Sequence, residues 1–265
     1  MTPSPGELMS PVAALAAVTG AADYLRVSVR NSTSGDEWLP TSSLVHDPQF
    51  LFETMRTAMD GRGVERDDIG MSLLVQGYAF RIASVAIGSW LAAGRCVDVS
   101  PDNAWVRFGR NRPYAVLLDT ARWADRGGTD DGSMASLHRH LVDDHLAPLI
   151  DTARAACRVG ARTLWSNVAS SCAESFGVFM RLSDLPDHDR WRSVRHAVTE
   201  FFATARPELA RGGHVVPIGP IWAWQRNACC LYFQHADGSK CGDCSLHSAP
   251  ERDARYERIL KDVMS

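Results

Sequence analysis

Four cysteines crowd into twenty residues near the end of the sequence, in NACCLYFQHADGSKCGDCSL (227–246), at the spacing C-C-x10-C-x2-C. A chain of 265 residues can bury roughly 70–75% of its unfolded surface and so needs no covalent or metal staple to fold. Cys229, Cys230, Cys241 and Cys244 are therefore a chemical constraint: the fold has to bring their thiols together around something.

The other three cysteines read differently. Cys96, Cys157 and Cys172 stand singly in apolar or helical contexts such as ARAACRVG and SSCAESF, where cysteine acts as a small hydrophobe. The opening MTPSPGELMSPVAALAAVTG has no Lys or Arg ahead of its apolar stretch, so it lacks the charged region of a secretory signal. It reads as a helix with Pro11 in its first turn. The expected setting is cytoplasmic, with all seven thiols reduced. The most apolar segment, 69–93, is interrupted by Gln76 and Arg81, so no membrane span is expected. A net charge of -3 with 22% charged residues argues against a general nucleic-acid partner, which wants a basic face.

Thiolates gather in a reduced compartment for thiol exchange, for zinc or for an iron–sulfur cluster, and Cys241-Gly-Asp-Cys244 can serve all three. Exchange wants this motif at a helix start inside a βαβ context, and it leaves Cys229 and Cys230 unused. Structural zinc wants two separated knuckles, whereas adjacent residues of an extended segment point to opposite sides. Zinc could instead take one of the pair with His235 or His247. A two-iron cluster spreads four ligands over two metal atoms and accommodates adjacent cysteines.

Hydrophobic period organises the rest. LRVSVR alternates like a strand, and Asp47 should cap a helix over DPQFLFETMRTAMDGRG that ends at Gly61 or Gly63. A central helix is expected from about Arg66 to Ala93, broken near Gly77, because it is apolar on nearly all sides. NAWVRFG and YAVLLD form a hairpin over about 103–119, and 120–133 reads as a loop. Helices follow at about 134–158 and 162–182, then one opened by DLPDHDRW and closed near Arg206-Pro207, and ERDARYERILKDVM ends the chain as a charged helix. The fold class is α+β, mostly helical, with a small antiparallel sheet or hairpin and a C-terminal cysteine-rich segment. The division is an N-terminal region 1–64, a helical main domain 65–210 and a cluster-binding segment 211–265. Neither G-x-G-x-x-G nor G-x4-G-K-[ST] occurs, so no nucleotide or nicotinamide site is expected.

The cysteine spacing, the aromatic pair Tyr232-Phe233 behind the double cysteine and the short loop HADGSK before Cys241 resemble the C-terminal motif of the FhuF-type ferric siderophore reductases. Upstream, SWLAAGRCVDVSPDNAWVRF (89–108), HLAPLIDTAR (145–154) and TLWSNVASS (163–171) look like that family's main domain, itself similar to a domain of siderophore synthetases. The likeness covers most of the chain after about residue 65, and Ser245 stands where the motif would have Pro. It implies a [2Fe-2S] cluster on Cys229, Cys230, Cys241 and Cys244, a ferric siderophore as substrate, and an outside electron donor such as a ferredoxin or a flavin reductase. Arg226 and Lys240 would attract an anionic siderophore complex or an acidic electron donor, Trp222 and Trp224 would line an apolar face for the siderophore, and Asn167 would contact it or cap backbone. The rival readings are a zinc- or cluster-stapled interaction protein and a biosynthetic relative without redox work. In LHRHLVDDH, His140 and Asp144 share a helix face and with His138 and His145 suggest a metal site, although a solvated stripe explains them equally.

Overall fold

The computed structural model describes residues 9–31, 37–109, 112–124, 132–181 and 188–264. Residues 125–131 of the expected 120–133 loop, residue 182 at the expected end of the 162–182 helix, and 184–187 of the expected DLPDHDRW opening lie outside them. Among the described residues 59% are helical.

Local chemistry explains the first elements. Helix α1 (Pro11–Ala21) starts at Ser10, whose hydroxyl accepts from the Ala13 N–H at 3.2 Å. Strand β1 (Arg26–Val29) and the short β2 (Leu39–Pro40) precede helix α2 (Thr41–His46). Helix α3 (Pro48–Asp60) is capped by Asp47, whose carboxylate accepts from the Gln49 and Phe50 N–H groups at 2.9 and 3.0 Å, with proline in the first turn where no N–H is needed.

Helix α4 (Asp67–Ala93) carries two aspartates in its first turn and stops at Gly94, whose φ of 68° is the left-handed cap glycine favours. It runs unbroken, against the expected break at Gly77. That glycine packs on the Pro113 ring, where a Cβ would stand 3.2 Å from Cδ, so it serves close approach and not a kink. By length and composition α4 qualifies to cross a membrane, but 78% of its most apolar window is buried inside the fold.

Strands β3 (Ala104–Gly109) and β4 (Arg112–Leu118) form the expected hairpin, with a register shift at Arg107/Phe108. β1 adds to β4 in parallel, pairing Val27 with Val116, and the sheet order is β1-β4-β3-β2. Helix α5 (Met134–Leu137) continues through a π-helical stretch, His138–Leu146, into α6 (Ala147–Ala156). Helices α7 (Ala161–Arg181), α8 (His188–Thr204) and α9 (Pro207–Ala210) lead to the hairpin of β5 (Gly213–Ile218) and β6 (Ile221–Arg226), and α10 (Ala249–Met264) follows the cysteines. The α4–α7 pair makes the most extensive packing in the molecule. One main core cluster includes Leu15 of α1, Ile82 of α4, Phe176 of α7 and Ile221, Trp222 and Trp224 of β6. The strand that leads to the cysteines is thus rooted in the centre of the protein.

Candidate metal centre

Beyond β6 the chain is held residue by residue against α7 and α4. The Ala228 N–H donates to Ser166 Oγ at 3.2 Å, and Ser72 Oγ donates to the Cys230 carbonyl at 2.7 Å. Leu231 then takes a φ of 70°, the single positive value for a non-glycine among the described residues. A branched apolar side chain pays for that conformation in backbone strain, here offset by its N–H donating to Cys229 Sγ at 3.2 Å. This is the sharp bend an adjacent cysteine pair needs.

The bend brings thiols together. Cys230 Sγ lies 3.7 Å from Cys241 Sγ, and the Cys229 thiol is close enough to feel both Cys230 and Cys244. Cys230 and Cys244 are buried, while Cys229 and Cys241 are partly exposed. On the far side, the Cys244 N–H donates to the Cys241 carbonyl at 3.1 Å, and Gln225 Nε2 donates to the Cys244 carbonyl at 3.2 Å. His247 Nε2 meets the Cys241 carbonyl at 2.9 Å, so that nitrogen carries the proton. His235 Nε2 likewise faces the Gly63 carbonyl, and its Nδ1 accepts from the Asp237 N–H. Both imidazoles serve backbone groups.

Between the thiol pairs and the helices runs one chain of hydrogen bonds. Asn167 Nδ2 donates to Ser72 Oγ at 2.8 Å, and Arg226 Nη1 donates to Asn167 Oδ1 at 3.0 Å. Arg226 Nε donates to Asp243 Oδ2 at 3.0 Å. That oxygen also accepts from Ser170 Oγ at 2.6 Å, and Ser170 Oγ accepts from Trp224 Nε1 at 3.0 Å. Burial works against the Arg226 charge, yet Asp243, Cys241 and Cys230 together raise its affinity for the proton. Burial likewise opposes the Asp243 charge, and Arg226 and Ser170 overcome it to hold the carboxyl below its ordinary range. The shared hydrogen bond with Cys241, assisted by the Arg226 charge, draws the Cys230 thiol toward thiolate.

Two observations bear on what this donor set can take. Sulfurs about 2.3 Å from one tetrahedral ion stand about 3.8 Å apart, close to the 3.7 Å between Cys230 and Cys241. Arg226 Nη2 is buried without a hydrogen-bond partner among the described residues, a donor left over beside thiols and able to serve a further sulfur acceptor. No three His, Cys, Asp or Glu side chains among the described residues surround a single ion position. The all-sulfur set and its spare donor fit an iron–sulfur group.

The remaining expected contacts fall out as follows. The Arg226 side chain is 0% exposed, and Asn167 is fully buried, so each acts from within the wall and has no surface to offer a ligand. Arg226 belongs to the interior because Asp243 neutralises its charge and Asn167 takes a second donor, which its position beside a cysteine motif does not reveal. Lys240 is exposed and bonds Glu251 at 2.9 Å. Trp222 and Trp224 are nearly buried, Trp224 stacked on Phe202 at 4.3 Å, yet their edges line a cavity of about 270 Å³ together with Cys241, Asp243, Glu174 and Arg255. Asp243, Ser72, Ser166 and Ser170 were not anticipated; Asp243, inside the C-G-D-C motif itself, carried the one available signal.

The histidine stretch does not assemble. His138 stacks on Phe201 at 4.3 Å, His140 Nδ1 lies 3.8 Å from Asp144, and His145 bridges the Val99 carbonyl and the Tyr78 hydroxyl at 2.6 Å each. The π-helical winding sends the three rings to separate neighbours.

A family model described as the ferric iron reductase FhuF-like transporter matches residues 72–212. The match begins at Ser72, includes Ser166, Asn167 and Ser170, and ends before the four cysteines. No curated protein matches the chain.

Proposed function

Because the chain belongs to the FhuF-like ferric iron reductase family, we propose that it is a cytoplasmic ferric siderophore reductase whose Cys229, Cys230, Cys241 and Cys244 hold a [2Fe-2S] cluster. Bound there, the cluster would supply single electrons to chelated ferric iron, which hard oxygen donors hold far more weakly once reduced. The observation that carries this reading is the approach of Cys230 Sγ to within 3.7 Å of Cys241 Sγ, which brings a thiol from each half of the motif together at the spacing a shared metal centre needs.

The protein's own residues supply the setting. Arg226, fixed by Asp243 and Asn167, puts a desolvated positive charge beside Cys230 and Cys241, and its spare Nη2 would be free to donate to a sulfur of the bound cluster. Such charge and hydrogen bonding favour the more negative, reduced form. Ser72 and Ser166 hold the double cysteine against α4 and α7, keeping Cys230 out of water. The electron enters from a separate donor, a ferredoxin or a flavin reductase, because the chain has no flavin or nicotinamide signature of its own. Lys240 lies at the exposed edge, ion-paired with Glu251.

Anaerobically purified protein should be red-brown, carry about two irons and two labile sulfides per chain, and bleach with dithionite. The reduced protein should then release ferrous iron from a ferric siderophore to a ferrous trap. A colourless protein with one zinc would sink the proposal, and a cluster that stays reduced with every siderophore offered would favour the interaction-protein reading.

A further inference from the structure

A second concavity, of about 820 Å³, opens between α6, α7 and the α9 turn. Four arginines line it, Arg154 on α6, Arg162 on α7, and Arg206 and Arg211 at the two ends of α9, against two carboxylates, Asp151 and Glu208. The basin is therefore net positive in a chain whose net charge is -3. A depression with one sign of charge focuses the field and concentrates counter-ions.

The four guanidinium groups are not equally committed. Arg206 bonds Glu208 at 3.3 Å and stacks over Trp165 at 4.9 Å, while Arg162 Nη2 donates to the Asn227 carbonyl at 3.0 Å. Arg154 and Arg211 are exposed, and their guanidinium groups make no hydrogen bond or ion pair with the described residues; Arg211 influences Glu208 through space. Two rigid forks with their donors unspent are what planar oxygen anions recognise. The volume suits one small molecule.

Position links the basin to the thiols. Asn227 lines it and stands two residues before Cys229, at most about 7 Å of extended chain, and Cys229 is one of the two partly exposed cysteines of the motif.

We propose that the arginine basin beside Cys229 is the binding site for a small anionic ferric chelate, one whose iron is held by carboxylate or catecholate oxygens. The inference rests on the reductase reading and narrows it, because a neutral trihydroxamate gains nothing from Arg154 and Arg211.

Redox-inert gallium(III) chelates test it by calorimetry on the full chain, with gallium citrate and a gallium tris-catecholate as the two anionic arms and a neutral gallium trihydroxamate as the control. At low salt at least one anionic chelate should bind about tenfold or more tightly than the neutral one, with the advantage shrinking as salt rises; the arm that binds names the donor type. The exposed double variant Arg154→Gln/Arg211→Gln should lose about tenfold or more for that chelate and leave the neutral control unchanged. Equal binding of neutral and anionic chelates, or a double variant that binds like the parent, overturns the proposal. So does a variant that loses an acidic ferredoxin while keeping the chelate, which would give the basin to the donor. No electron moves in this assay, so it can succeed on protein without a cluster and fail on protein that is red-brown, separating its outcome from that of the reductase reading.

Discussion

Arg226 and Asp243 form an ion pair inside the protein, with Nε 3.0 Å from Oδ2 and side chains 0% and 18% exposed. Removing one partner of a buried pair costs about 3–5 kcal/mol, because the other is left charged and dry. Arg226→Gln should show that loss in chemical denaturation, and Arg226→Lys, which keeps the charge but not the fork, a smaller one. In protein that carries the cluster, the midpoint potential should fall in Arg226→Gln and lie between the two in Arg226→Lys. Potentiometric titration returning one value for all three proteins would remove Arg226 from any role in tuning.

Cys230→Ser should lose the visible absorbance and most of the bound iron, whereas Cys157→Ser should keep both. Cys157 sits alone, its thiol pushed up to about 11 by burial and the nearby aspartates. Iron and sulfide analysis of the two variants, prepared side by side, decides the point. Equal iron in both would clear Cys230 of ligation.

The loop between the cysteine pairs turns at Gly238, where a Cβ would stand 1.8 Å from the Tyr232 carbonyl oxygen. That obstacle is backbone and cannot rotate away, so Gly238→Ala must reopen the turn. The expected result is at least a several-fold drop in cluster occupancy with far-ultraviolet circular dichroism unchanged, since the helices lie elsewhere. Full occupancy in the variant would show that the turn does not set the spacing of the thiols.

His145 gives the fold a pH dependence. Its Nδ1–H donates to the Val99 carbonyl and its Nε2 accepts from Tyr78, and burial lowers its pKa from 6.5 to about 4. The folded state therefore resists protonation while the unfolded chain takes up a proton near pH 6.5. Its stabilising contribution is complete above that pH, declines as the pH falls toward 4, and amounts to about 3 kcal/mol once lost. Denaturant midpoints between pH 7.5 and 4.5 should fall more steeply in the parent than in His145→Gln; parallel slopes would contradict this assignment.

Much of the scaffold could be read from the sequence, because its signals are local. Asp47 ahead of Pro48, the β3–β4 hairpin and the alternation of 26–29 depend on neighbours a few residues away, and each element forms where those neighbours direct. The parallel partner of β1 is set by closure across nearly ninety residues, and no short-range pattern encodes it. Gly77 looked like a helix breaker until Pro113 explained its missing side chain. The four cysteines announce themselves by spacing, whereas their wall is assembled from Ser72, Asn167 and Ser170, ordinary residues on helices far apart in the chain. Arg226 shows the difference most sharply. A lone arginine beside a motif reads as a solvated charge, and only the return of the chain with Asp243, past the Gly238 turn, makes an interior position tolerable.

The hydrogen-bonded run from Ser72 through Asn167 and Arg226 to Asp243 has a consequence for protein engineering. Residues 211–265 cut out and grafted to another scaffold would carry every sulfur but leave behind α4 and α7, the surfaces that shape and dry them. The motif is not a portable cassette, and a useful graft would have to transplant both helices with it.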